Sequence, residues 1–313
     1  MSQSLLQVHN VSKFYASKKQ QLRAVNGISL EIHEGETVGI VGESGCGKST
    51  FGQVIAQLLH PTEGSIYFEG IDMNALSKKQ RKLLRKDVQY VFQDAYAALN
   101  PRHKIAKLLE EPLIIQKIGN AAERKQAVEE MLELIGLKGY EDRYMHELSG
   151  GQRQRIGIGR ALIVKPKFLI LDEPVSALDV SIQAQILNLL KDLQQSFHLT
   201  LLFISHDLHV VEYISNRVAV MYLGKIVEMA NVETLYENAK HPYTKALLSA
   251  VPTIQKQTEQ ILLEGDLPNP LAIPNGCSFH TRCPYATDLC KAQEPQLVEV
   301  SDEHFVSCHY SYE

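Results

Sequence analysis

Apolar and polar positions alternate along the first thirty residues, with Val8, Val11, Leu22, Val25, Ile28, Leu30 and Ile32 on one set of faces. This period of two predicts short strands between Leu5 and Ile32. A turn at Glu34-Gly35-Glu36 leads into Thr37-Val38-Gly39-Ile40-Val41, a continuous β-rich run of the kind found in strands buried on both faces. An amphipathic helix is predicted from Phe51 to Leu59, a turn at Pro61-Thr62-Glu63-Gly64, and another strand from Ser65 to Phe68. From Leu76 to Ile135 the pattern reads as mostly helical, with Val128, Met131, Leu132 and Ile135 at three- and four-residue spacing. Phe168–Leu171 and Leu201–Ile204 predict two further buried strands, separated by an amphipathic helix over Ile182–Leu193. Strand–helix alternation around buried strands predicts an α/β fold with a parallel sheet.

Length and composition narrow the class. The 313 residues, 44% hydrophobic and 22% charged, suit a globular protein with one large domain and a smaller one, or two ordinary ones. A net charge of -4 argues against a general nucleic-acid binder. The basic run Lys78-Lys79-Gln80-Arg81-Lys82-Leu83-Leu84-Arg85-Lys86, continuing to Val88, reads as an amphipathic helix with a solvated face. No apolar stretch approaches membrane-spanning length, and Met1-Ser2-Gln3-Ser4 opens no signal peptide, so a cytoplasmic protein is expected, with any membrane role supplied by partners. Near Gly265 the composition shifts. Pro268, Pro270 and Pro274 with Asn269 and Asn275 predict an extended connector up to Gly276, beyond which Cys277, Cys283, Cys290 and Cys308 crowd the tail.

Two motifs carry chemistry. Gly42-Glu43-Ser44-Gly45-Cys46-Gly47-Lys48-Ser49, followed by Thr50, fits G-x-x-x-x-G-K-[ST] and sits between a predicted buried strand and a helix. In that context the glycines let backbone amides cradle phosphates, aided by the positive end of the helix. Lys48 would reach the β- and γ-phosphates and the Ser49 hydroxyl would bind Mg²⁺. The second motif is Phe168-Leu169-Ile170-Leu171-Asp172-Glu173, an apolar strand ending in two carboxylates. Asp172 is placed to anchor the metal, and Glu173 to polarise an attacking water as general base.

The order of phosphate loop, Gln93, Leu148-Ser149-Gly150-Gly151-Gln152, Asp172-Glu173, Asp179 and His206 resembles the ATP-binding cassette family over about Leu5 to Met229. That resemblance implies a P-loop NTPase cassette, a RecA-like core with antiparallel β and helical subdomains, and ATP hydrolysis with Mg²⁺. It implies two cassettes packed head to tail, with ATP between the phosphate loop of one and the pentapeptide of the other. Ser149 offers a hydroxyl there, Gly150 and Gly151 offer amides, and a helix beginning near Gln152 directs its positive end at the γ-phosphate. By the same resemblance Gln93 contacts Mg²⁺ and water and senses the membrane partner, and His206 holds the γ-phosphate. Asp179 belongs to the loop bridging the cassettes, Tyr15 stacks on adenine, and Cys46 is a variable filler. Two departures stand out. Gly157 and Gly159 replace the family's alanines in the helix after the pentapeptide, at roughly 1 kcal/mol each in helix propensity, to be offset by packing. Ala95 replaces a proline common after the Gln-Asp pair.

Three segments resemble the oligopeptide and dipeptide importers within that family. They are Gln93–Arg102, His241-Pro242-Tyr243-Thr244-Lys245-Ala246-Leu247-Leu248, and the tail Gly276-Cys277-Ser278-Phe279-His280-Thr281-Arg282-Cys283-Pro284. Leu22–Gly27 and Asn100-Pro101-Arg102 look more like the F-type of the two sister cassettes. The resemblance implies a heterodimer with a sister cassette, two transmembrane permease subunits, an extracytoplasmic solute-binding protein, and a peripheral place at the cytoplasmic face of the membrane. It implies a solute that is a peptide, with nickel or metal chelates and glutathione as alternatives, and disfavours a soluble non-transport cassette ATPase. The expected organisation is a nucleotide-binding domain over 1–240, its helical subdomain at about 95–165, and an importer-type extension over 241–313. The tail cysteines follow C-x5-C-x6-C-x17-C, a number of thiolates that can hold a [4Fe–4S] cluster or tetrahedral zinc. The absence of paired C-x2-4-C knuckles disfavours zinc, and the resemblance points to the cluster. His280, His304 and His309 lie near enough in sequence to replace a ligand, and four reduced thiols packed in a small core stay open as well.

Overall fold

The computed structural model describes residues 4–17, 20–250, 261, 263, 265 and 268–311. In chain order its strands are β1 (Ser4–Ser17), β2 (Gln20–His33), β3 (Thr37–Val41), β4 (Glu63–Phe68), β5 (Ile71–Asp72), β6 (Val88–Val91), β7 (Phe168–Asp172), β8 (Thr200–Ile204), β9 (Arg217–Tyr222), β10 (Lys225–Asn231), β11 (Val298–Ser301) and β12 (His304–Val306). The described residues pack as two compact units, one of residues 33–36 and 75–204, the other of 4–32, 37–74 and 205–311.

In the first unit β6, β7 and β8 run parallel, with Val91 beside Leu171 and Leu171 beside Phe203. Every residue of β7 and β8 is buried, which is why neither strand shows alternation. The helices are Lys78–Asp87, Ala95–Ala98, Ile105–Gln116, Ala121–Leu134, Gly150–Leu162 and Val180–Phe197. Helix Gly150–Leu162 runs unbroken through Gly157 and Gly159 because neighbours press on both. A Cβ at Gly157 would meet the Ala95 Cβ at 3.2 Å, and one at Gly159 would meet the Ile135 Cδ1 at 3.0 Å. The small residues at 95 and 157 therefore pack against each other, and the propensity cost is offset by close approach.

The second unit holds two sheets. One has the order β2-β1-β4-β5, the other β11-β12-β10-β9-β3. In the latter β3 and β9 are parallel and the remaining pairs antiparallel. The joint between β10 and the tail is a buried carboxylate. Glu228 accepts from the Lys240 and His241 backbone amides, the latter at 3.0 Å, and sits 2.8 Å from the His304 Nε2, both side chains fully buried.

Several elements differ from the expectation. Strands β1 and β2 are fourteen residues each, not short. The stretch from Leu76 to Ile135 is interrupted by β6, so Val88 opens a strand and does not belong to the basic helix, which ends at Asp87. The helix expected over Phe51–Leu59 is Lys48–Ile55. Residues 266 and 267 of the expected connector lie outside the described residues.

Candidate nucleotide and cysteine sites

The phosphate loop leaves β3 at Gly42, in the second unit. Two of its glycines are obligatory. Gly42 has φ +150°, and a Cβ on it would lie 2.2 Å from the Met221 carbonyl oxygen; Gly47, at φ +106°, would put one 2.0 Å from the Ala24 oxygen. Gly47 caps the helix that begins at Lys48, whose first turn carries Ser49 and Thr50, both half-buried. The Lys48 Nζ donates to the Gly42 oxygen at 2.7 Å and the Glu43 oxygen at 3.1 Å, with its side chain turned inside the loop. Ser44 and Gly45 form the exposed crest. Cys46 is buried with its sulfur 4.0 Å from the Lys48 Nζ, and burial pushes its thiol pKa up, as suits a filler.

His206 is exposed in the same unit. The Ser205 amide donates to the Ile40 oxygen at 3.1 Å, so His206 follows the end of β3 from which the phosphate loop departs. Asp207 caps the helix Leu208–Ile214. Tyr15, on β1, is 37% exposed with the Lys13 ammonium 5.3 Å from its ring centroid, so part of the ring is open to solvent.

The carboxylates belong to the first unit. Asp172, 5% exposed, accepts from the Tyr90 hydroxyl at 2.7 Å. Glu173 stands in the left-handed region at φ +47°, where a non-glycine residue is held by its surroundings; its amide donates to the Ile204 oxygen at 2.9 Å. The Gln93 Nε2 donates to the Glu173 Oε2 at 3.1 Å and to the Ser176 Oγ at 3.3 Å. Gln93, Asp172 and Glu173 thus stand together, with Tyr90 and Ser176 as partners that sequence reasoning missed. The signal for Tyr90 was its place in a short strand just before Gln93.

The pentapeptide region is also in place. Helix Gly150–Leu162 begins two residues earlier than expected, because Ser149 and Gln152 form a capping box, with the Ser149 amide donating to the Gln152 side chain at 3.0 Å. A Cβ on Gly151 would lie 2.3 Å from Ile182. Asp179 caps helix Val180–Phe197. The Ser181 hydroxyl, then the Ile182 amide, hold its carboxyl below the usual carboxylate range. Next to it Val180 is 81% exposed.

In the second unit Cys277, Cys283, Cys290 and Cys308 all line one cavity of about 420 Å³, together with His280 and His309. All four are free thiols. Burial, then the neighbouring sulfurs, pushes the Cys277 pKa up to about 11, and burial raises those of Cys283 and Cys308. Among the described residues no three His, Cys, Asp or Glu side chains converge as ligands of one metal ion. His304 is engaged with Glu228 and so leaves the set of substitute ligands, while the His280 Nδ1 lies 2.8 Å from the Cys277 oxygen. Among the described residues no helix is long and apolar enough to cross a membrane.

A family described as "ABC transporter" matches residues 25–176, and one described as "Oligopeptide/dipeptide transporter, C-terminal region" matches residues 227–290. The chain is 50% identical over 320 residues to the oligopeptide transport ATP-binding protein AppF of Bacillus subtilis, covering 98% of this chain and 97% of the relative. It is 48% identical to the di/tripeptide transport ATP-binding protein DppF of Pseudomonas aeruginosa, covering 99% and 97%. Among solved structures, the dimeric post-hydrolysis ATP-binding cassette MJ0796 bound to ADP and Pi is similar with a TM-score of 0.67 and 32% identity, covering 73% of this chain and 99% of that one.

Proposed function

The chain belongs to the ABC transporter ATP-binding family, in its oligopeptide/dipeptide branch, and from that premise we propose that it is the ATPase subunit that drives import of peptides. The observation that carries the ATPase reading is the placement of Glu173, held by Gln93 at 3.1 Å on a strained backbone position next to buried Asp172. The phosphate loop holds the triphosphate, Glu173 takes a proton from the attacking water, and His206 steadies the γ-phosphate. Ser49, Asp172 and Gln93 offer the hard oxygen donors suited to Mg²⁺, which would neutralise phosphate charge. Tyr15 would stack on the adenine. Ser149, Gly150, Gly151 and Gln152 would meet the ATP of a second cassette, and Asp179 with exposed Val180 would lie at the same contact. The dimeric form of the MJ0796 cassette supports the pairing of two cassettes. The second copy would be a sister cassette, as the F-type resemblance of Leu22–Gly27 and Asn100–Arg102 implies. Two permease subunits and an extracytoplasmic binding protein complete the complex, which places this chain peripherally at the cytoplasmic face. Phe92 and Tyr96, both exposed beside Gln93, suit the permease contact. The nucleotide-binding domain would span 1–240, with its helical subdomain at about 95–165, and the importer extension 241–313.

Deleting the chain should abolish uptake of labelled di- and oligopeptides and spare nickel and glutathione uptake. Loss of nickel or glutathione uptake alone would move the solute to that class. Unchanged uptake of all three would favour a soluble, non-transport ATPase.

For the tail we propose a [4Fe–4S] cluster on Cys277, Cys283, Cys290 and Cys308. Four thiols around one cavity fit a polynuclear cluster in number and softness, and the C-x5-C-x6-C-x17-C spacing lacks the paired knuckles usual for zinc. Protein purified without oxygen is expected to be brown, with about four irons and four sulfides per chain. Zinc at one per chain, or neither metal, would overturn the cluster and leave the ATPase reading intact.

A further inference from the structure

The phosphate loop is gripped by the C-terminal extension at one residue, Glu43. The Glu43 amide donates to the Tyr243 hydroxyl at 2.9 Å, and its carboxylate takes both arms of the Arg282 guanidinium at 2.7 and 3.0 Å. Tyr243 is fully buried, and the Arg282 side chain is 7% exposed against 30% for Glu43. The base of this grip is aromatic. Tyr243 packs on Tyr222 at 4.7 Å between ring centroids, and Phe279 packs on Tyr222 at 5.3 Å and on Tyr243 at 5.4 Å. Just beyond Tyr222, the Gly224 amide donates to the Cys46 oxygen at 2.8 Å, so the loop is tied down at two points.

A carboxylate at the second position of a loop that must receive a triphosphate is an electrostatic problem, because an unpaired negative charge there repels the ligand. A buried, bidentate guanidinium cancels it and also fixes the side chain in one orientation. We infer that Arg282 and Tyr243 are positioning residues of the nucleotide site: the extension neutralises Glu43 and holds the phosphate loop in its receptive shape. The inference rests on the reading of Gly42–Ser49 as an ATP phosphate loop. Arg282 is charged with or without this partner, and its hydrogen bonds to Glu43 raise its pKa further. Arg282 immediately precedes Cys283, so the segment that lines the four-cysteine cavity also carries this clamp.

The test is ATP affinity of the full chain, measured at equilibrium, with the turnover rate at saturating ATP alongside. Arg282→Ala is expected to raise Kd about tenfold while kcat stays within about twofold. Arg282→Lys should fall between the two, since an ammonium restores charge but not the bidentate geometry. The deciding variant is Glu43→Gln with Arg282→Ala, which removes the carboxylate left unpaired by the single substitution and should return Kd to within about threefold of wild type. A Kd unchanged in Arg282→Ala overturns the clamp. So does a double variant as weak as the single one, since plain structural damage would not be rescued. A wild-type chain that fails to bind ATP overturns the phosphate-loop reading and the clamp with it, whereas wild-type binding with either contrary result sinks the clamp alone.

Discussion

Glu173→Gln is expected to lower ATP turnover at saturating nucleotide by about 10²- to 10³-fold while leaving ATP binding intact. The two side chains have nearly the same shape, so the substitution isolates basicity. A glutamine carbonyl can still accept from the Gln93 Nε2, which now donates to the Glu173 Oε2 at 3.1 Å, and the backbone can keep the left-handed conformation at φ +47°. What is lost is the capacity to take a proton from water. With chemistry blocked and binding retained, ATP should hold two cassettes together, so the variant is expected to elute as a cassette dimer in ATP and as a monomer without it. Retained wild-type turnover would remove Glu173 from the role of general base. Weakened ATP binding with unchanged turnover would mark it as a structural residue instead.

The buried parallel strands and their loop were legible because they carry continuous apolar runs ending in unmistakable polar motifs. Thr37–Val41 and Phe168–Asp172 are buried throughout, as their composition implies. Strand Val88–Val91 was not legible. It is four residues long and follows directly on a basic helix, so Val88 completes an apparent helical stripe with Leu83 and Leu84. The antiparallel partner of β9 also escaped, since β10 is buried over most of its length and shows no alternation. Within the site, the residue types and their order announced Gln93, Asp172 and Glu173, but the bonds that place them did not show. Tyr90 reaches Asp172 across 82 residues and Arg282 reaches Glu43 across 239. Such pairs leave no period in a sequence, because only the fold brings them together. The start of the helix at Gly150 was readable in principle, since Ser149 and Gln152 have capping-box spacing.

Lys48→Ala is expected to weaken ATP binding about 100-fold, with little change in the thermal stability of the nucleotide-free chain. Lys48 is 5% exposed, and its ammonium sits 2.7 Å from the Gly42 oxygen and 3.1 Å from the Glu43 oxygen. Carbonyls alone satisfy part of its hydrogen-bonding capacity and none of its charge, so the loop holds a cation ready for a phosphate. Charge-assisted bonds to phosphate in a partly desolvated loop are the strong kind, and a factor of 100 corresponds to about 2.7 kcal/mol. The methyl group of alanine leaves two carbonyl oxygens facing the incoming triphosphate, which adds repulsion to the loss of attraction. Lys48→Arg should not rescue binding. The planar guanidinium is wider than the ammonium and must pass Cys46, whose sulfur lies 4.0 Å from the Lys48 Nζ. Measured by equilibrium titration with ATP, wild-type affinity in Lys48→Ala would remove the phosphate-binding role of the loop lysine. A collapse of the melting temperature without nucleotide would instead assign the loss to folding, which the surface position of the loop's crest at Ser44 and Gly45 argues against.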